Sequence, residues 1–356
     1  MIDYRPMMLK TLSTSVSALL LSLATPVLAD SDPLTEADCR APVELMQSSF
    51  AGSDEGVSVT FEALEDGVCI YRDLVMKTGQ PYGSSVVASR IRIEGDGLRW
   101  AAAYLKALAL PDPEARNHAL TGITLMPERL KLQVTGMRQV LYTDDSYFDY
   151  ALEAQSRMSM ATLVLDIGWD QAAKELQLHQ AGIEMPHGNM VRVSGVVKDV
   201  DLSSLATMQM SLSGFAVTEL DAEIRSYGLF QAYALPMLAM AVIVREEEQA
   251  PELQMEMALK QALAAVDQLP AESVPDESKL ALRNLISDLP DLWGVLKLNF
   301  RADPGFGPVR LGRFALMGPP EGIEDVLPLF QGVRLDVDWQ QETAPWKVEG
   351  CVTLQC

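Results

Sequence analysis

The sequence predicts an α+β protein built on one long, curved and bulged antiparallel sheet, a trough or half-barrel, with a helical segment packed against it. Three observations carry this. Long strand patterns follow one another over Met158–Asp170, Lys174–Met185, Asn189–Leu202, Thr207–Val217 and Glu219–Tyr227, with only turn chemistry between them, such as Pro186-His187-Gly188-Asn189. Within these strands the alternation changes phase. Leu176 and Leu178 give way to Ala181, Ile183 and Met185; Val191 and Val193 to Val196; Phe215 and Val217 to Leu220, Ala222 and Ile224. One extra residue is what a β-bulge inserts, and bulges bend a sheet; aligned bulges in strands longer than the usual ~5–6 residues curl it. Finally, helical apolar stripes replace the strand pattern after Gly228.

In chain order, Arg5 and Lys10, the apolar run around Ala18–Ala24 and the small residues Val27-Leu28-Ala29 read as an export signal cleaved after Ala29, with no lipobox cysteine behind it. Residues 30–118 read as a β-rich subdomain with a helix. Leu34–Gln47 is a short helix near the mature start, Val57–Ala63, Val68–Lys77 and Val86–Glu94 are strands, and a helix starts at Leu98 and stops at Pro111. Residues 119–227 form a meander, with strands at Leu120–Met126, Leu130–Tyr142 (phase break at Gly136) and Tyr147–Gln155 before the central run. Residues 228–290 are helical. Leu229–Val244 is almost wholly apolar; at ~1.5 Å per residue it spans about 24 Å, short of a ~30 Å bilayer core, so it reads as a buried, Pro236-kinked helix. Stripes at Met255–Leu269 and Leu282–Leu289 follow. Residues 291–356 close the same sheet with strands at Val295–Arg301, Val309–Leu316 and Val333–Trp339, the last half-buried, and a small helix at Gly322–Phe330. A short echo, Ile93…Gly97-Leu98-x-x-Ala101 against Ile224…Gly228-Leu229-x-x-Ala232, raises the question of an internal repeat.

The 356 residues carry a formal charge of −21. That balance argues against nucleic acid, which is bound through Lys and Arg on phosphates, and against electrostatic docking on anionic lipid. Cys39, Cys69, Cys351 and Cys356 form an even set in an exported chain, so disulfides are expected. Of the three connectivities, Cys39–Cys69 with Cys351–Cys356 is favoured. The first closes a loop of about 30 residues, worth on the order of 3 kcal/mol; the second needs the C-terminus to curl.

No catalytic motif stands out. There is no Gly-x-Ser-x-Gly, Ser-x-x-Lys or His-Glu-x-x-His, and the three histidines are His118, His179 and His187. His179, Met185, His187 and Met190 cluster around one turn and are chemically allowed copper ligands, but methionines at core spacing are the plainer reading among 18. Asp144, Asp145 and Asp149 fit no Ca²⁺ loop and read as solvated turn carboxylates, and Glu246–Glu248 as a solvent-facing helix end. No metal, cofactor or catalytic residue is assigned.

Gly228-Leu229-Phe230, Phe300-Arg301-Ala302-Asp303-Pro304 and Phe330-Gln331-Gly332-Val333, in their order among bulged strands and helices over about residues 120–340, resemble uncharacterised bacterial periplasmic long-β-sheet proteins related to the AsmA-like envelope group. The resemblance implies a β-groove that shields apolar material, and no catalytic residues. The expectation is therefore a periplasmic, non-enzymatic envelope protein. Its groove binds lipid or another apolar ligand, or an envelope protein partner, and it has no stable transmembrane anchor. The alternatives are a structural or protein-interaction module whose groove its own helices fill, and a hydrolase of unknown substrate.

Overall fold

The computed structural model describes residues 33–49, 56–78, 83–95, 97–143, 145–243, 250–318 and 322–342. The export segment, Asp144, Glu246–Glu248, Cys351 and Cys356 lie outside these. Among the described residues ten strands form one sheet whose order in space is the order in the chain, each neighbour antiparallel, and the sheet does not close into a barrel. The strands are β1 (Gly56–Glu65), β2 (Val68–Thr78), β3 (Ser84–Glu94), β4 (Arg129–Leu141), β5 (Ala161–Asp170), β6 (Glu175–Glu184), β7 (Met190–Lys198), β8 (Ala216–Tyr227), β9 (Trp293–Phe306) and β10 (Val333–Gln341). The helices are α1 (Glu36–Ser49), α2 (Gly97–Leu108), α3 (Pro113–Thr121), α4 (Ser146–Ser156), α5 (Leu205–Ser211), α6 (Leu235–Val242), α7 (Pro251–Gln268), α8 (Asp276–Ser287), α9 (Pro308–Met317) and α10 (Ile323–Val326).

The long curved sheet is the predicted one, and its central bulges fall on β4, β6 and β8, with further register shifts between β1 and β2. The register slips between Val134 and Met137 in β4, between Leu178 and Ala181 in β6, and between Val217 and Glu219 in β8. These are three of the phase breaks read from the sequence. At the first, Gly136 takes φ +69°, and a Cβ there would collide with the Ser89 hydroxyl. The break expected in β7 at Val196 does not occur, because Val191, Val193, Gly195 and Val197 keep one face against β8. Nor are the bulges aligned. They step diagonally, from the end of the sheet where β4 leads into β5 (the β4–β5 rim) to the opposite end.

Three expected strands are helices. Tyr147–Gln155 lies in α4, Thr207–Val217 begins in α5, and Val309–Leu316 lies in α9. Each start carries local chemistry that outweighs the apolar pattern. Asp145 accepts hydrogen bonds from the Tyr147 and Phe148 N–H groups, Ser204 and Thr207 form a reciprocal capping box, and Pro308 opens α9. Residues 122–126, expected to end a strand, carry no regular element; Leu120 belongs to α3, which Asp112 caps and Pro113 opens.

Leu229–Val244 was expected to be buried, and that expectation fails. A single π-turn, Phe230–Ala234, precedes α6, since Pro236 has no N–H to continue a regular ladder. Tyr233, Met237 and Met240 face solvent. No helix among the described residues is long and apolar enough to cross a membrane. The two Gly junctions differ as well. β3 and β8 end at opposite rims of the sheet, and the left-handed residue is Gly95 in one case and Gly228 in the other.

Both edges of the sheet are flanked by helix. Gln47 of α1 donates to the Val59 carbonyl of β1 at 3.1 Å. On β10 the Leu335 N–H donates to the Ser273 carbonyl at 2.7 Å, and the Val337 N–H to Ser278 Oγ of α8 at 2.9 Å. Edge donors satisfied in this way resist strand addition.

Candidate functional site: an apolar face across ten strands

Residues paired across antiparallel strands share a face, so the register says what each face is made of. One row runs from Leu64, Cys69 and Ile93 through Leu132, Leu165, Ala181, Val193, Ala222 and Leu298 to Val337. The next runs from Phe61, Tyr71 and Ile91 through Val134, Leu163, Ile183, Val191, Ile224 and Leu296 to Trp339. Every position in both rows is apolar or aromatic. The row between them on the opposite face reads Arg92, Gln133, Val164, Gly182, Arg192, Glu223, Lys297 and Asp338. From β3 to β10 the sheet therefore has one apolar and one mainly polar face, over about 4.8 Å per strand in the direction of pairing; on β2 and β1 the opposite row is Ile70, which is buried, and Ala63.

The apolar face is covered at its N-terminal end. The disulfide Cys39–Cys69, with Cα atoms 5.6 Å apart, ties α1 to β2 as expected. Val43 of α1 and Leu98 of α2 join Val59, Cys69 and Tyr71 in a buried cluster. Tyr71 is 2% exposed, and its hydroxyl donates to the Cys39 carbonyl at 2.7 Å; burial pushes that phenol's pKa up. At the C-terminal end Val333, Val337 and Trp339 are buried, and the Trp339 indole N–H donates to Asp288 just past α8 at 2.7 Å. Partial exposure runs along both rows, including Phe61, Leu64, Ile91 and Ile93 at the N-terminal end and Leu296 and Leu298 on β9. Leu163, Leu165, Ile183, Val191, Val193 and Ile224 are all partly exposed, and Leu220 is 37% exposed.

The polar side holds a cleft of about 1020 Å³ at the β7–β10 end, lined by Lys198, Glu219, Arg301, Asp303, Arg310 and Arg334 among others. Its three arginines are already engaged. Arg301 pairs with Asp221 at 3.1 Å and Glu219 at 3.8 Å, Arg334 with Asp336 at 2.9 Å, and Arg310 donates to the Pro304, Leu329 and Gln331 carbonyls. This is the chemistry of a braced strand end.

The structure brings together one of the pairs expected from sequence, Cys39 and Cys69. His118 lies in α3, His179 at the β6 bulge and His187 in the β6–β7 turn at φ +65°. His179 is six residues along the chain from Met185, roughly 20 Å if extended, so the soft-ligand cluster does not assemble. Asp145 caps α4, and Asp149 accepts from the Thr143 N–H and hydroxyl. Among the described residues no three His, Cys, Asp or Glu side chains converge as metal ligands. The apolar rows are the candidate feature that strand-by-strand reading missed. The signal for them lay in the alternation itself, but only register shows that ten separate alternations coincide. No protein-family model matches the chain, and no curated protein sequence matches it.

Proposed function

We propose that the central part of the apolar face binds an acyl chain or a similarly extended apolar ligand, and that the protein is a non-enzymatic envelope protein working in an oxidising compartment. The observation that carries this is the partial exposure of two continuous apolar rows across β5–β8 between two covered ends. An apolar surface left this open in a highly charged chain is a binding surface or a hazard. The helix-flanked edges argue against strand addition as its use. An adaptable side chain suits varied chains, and Met137, paired with Ala161 on this face, lies near the β4–β5 rim. The buried Cys39–Cys69 bridge supports the compartment, and the resemblance to AsmA-like envelope proteins points to the same use.

The test is uptake of cis-parinaric acid by the purified full chain, read by its fluorescence, together with native mass spectrometry for co-purified lipid. Binding is expected, and Leu165→Asp/Ile183→Asp protein should lose it by about tenfold or more, since a carboxylate on the face opposes an apolar chain. Equal uptake by the variant, or no uptake by the wild type, rejects the reading.

A further inference from the structure

We propose that the β4–β5 rim of the sheet is a docking surface for a lipid bilayer of zwitterionic composition, with α4 and α6 as its contact elements. The proposal deepens the acyl-chain reading and rests on it for its purpose, but the two are tested apart.

The register places both helices at one end of the sheet. β4 ends and β5 begins at this rim, with α4 between them, and β8 ends there, leading into α6. On α4 three rings stand in solvent, from 58% exposed (Phe148) to 78% (Tyr150), with Tyr147 edge-on to Phe148 at 5.9 Å. Tyr142 and Met158, on either side of α4, are exposed too. Buried aromatic rings are what a protein ordinarily gains from such residues, so three exposed ones on a single helix are unusual for a surface that faces water alone.

Charge selects the partner. The chain is at −21, so an anionic surface repels it. The carboxylates at α4 are engaged by near neighbours. Asp145 is spent on the helix N-terminus and Asp149 on Thr143, while Glu153 lies 3.1 Å from Arg157 and 3.9 Å from Arg138. α6 has no charged residue, and Tyr233, Met237 and Met240 are exposed on and beside it. A patch rich in tyrosine, with its few charges locally paired, matches the headgroup zone of a bilayer without net charge, where amphipathic rings are favoured. Continuity supplies the purpose. The apolar face reaches this rim through the Met137–Ala161 pair, so a chain drawn from the bilayer meets apolar surface without first crossing water.

Flotation of the full chain with phosphatidylcholine vesicles on a density gradient tests this. The wild type should float. Tyr147→Ser/Phe148→Ser/Tyr150→Ser protein should partition about tenfold less, with an unchanged melting temperature. Met237→Ser/Met240→Ser protein should weaken flotation independently, which keeps the test sound if one variant folds poorly. Leu165→Asp/Ile183→Asp protein should float like the wild type while losing parinaric acid, which separates docking from uptake. The proposal is overturned if the wild type stays at the bottom, if it floats only with phosphatidylglycerol, or if the ring variant floats as well as the wild type. A lipid-free dimer that the ring variant abolishes would overturn it too, assigning the patch to a second copy of the chain.

Discussion

The N-terminal strands and the central strands present the same kind of face and meet different fates. Tyr71 and Ile91 of β2 and β3 are in register with Leu163 and Ile183 of β5 and β6 through Val134. Yet Tyr71 is 2% exposed and sealed under helices, while Leu163 and Ile183, like Ile91, stay partly exposed. The difference lies in what stands above them. At the N-terminal end α1 and α2 supply Cys39, Val43 and Leu98. The central strands are joined by a tight β6–β7 turn and by the seven-residue α5. Burial on this sheet is thus decided by its connections more than by its strands, and the same alternation serves as core in one place and as an open surface in another.

The sharpest way to break this comparison is to place one charge on each region. Leu98, 2% exposed, has no water to turn to. Leu98→Asp should cost roughly 3–5 kcal/mol and leave the protein largely insoluble. Leu165→Asp, on the partly wet face, should cost about 1–2 kcal/mol and stay folded. Urea titration of both reads the contrast, and equal losses would mean that the central face is as much core as the end.

A smaller effect should follow from cutting the tie that seals the N-terminal end. Cys39→Ser/Cys69→Ser protein loses a bridge across a sequence separation of 30 and should be about 2–4 kcal/mol less stable. Hydrogen exchange should then rise in α1 and β2 while β6 and β7 keep their wild-type rates. A uniform rise over all ten strands would show that the two regions open as one unit.

The least effect is expected from pH, at Asp201 in the connection that leaves β7. The Ser203 hydroxyl and N–H, and then Lys174, hold its carboxyl at about 2 in the folded chain. An unfolded carboxylate titrates near ~3.9. A depressed folded value stabilises above the unfolded one, so this contribution is complete above about pH 4 and is lost as pH falls towards 2. Asp201→Asn should flatten the acid limb of a urea-midpoint profile between pH 2 and 5 and leave the neutral region unchanged. An unaltered acid limb would mean that this carboxylate does not couple to folding.

The central bulges were legible because each leaves a mark inside one strand. At Leu178 and Ala181 the apolar phase slips by one, and at Gly136 a glycine supplies the backbone freedom. The helices α4, α5 and α9 were misread because short segments with tyrosine, phenylalanine, methionine and valine satisfy a strand pattern. The decisive marks at Asp145, Ser204 and Pro308 are single residues at an end. The exposed α6 was misread for a different reason. Apolar composition says that a segment avoids water, and whether anything is present to cover it depends on distant parts of the chain.

By itself the sequence marked the long central strands, the bulges of β4, β6 and β8, and Cys39–Cys69 as the favoured pairing, because these depend on neighbouring residues and on the scarcity of cysteines. Only the tertiary structure decided that the ten strands stack in chain order with their apolar positions in common rows, that α1 and α8 flank the two edges, and that the middle stays open. Register is a relation between strands far apart in the chain, as when Val217 of β8 pairs with Phe306 of β9, fixed by the loops and bulges of all of them together, and a one-residue slip in any strand would turn its apolar side to the polar face.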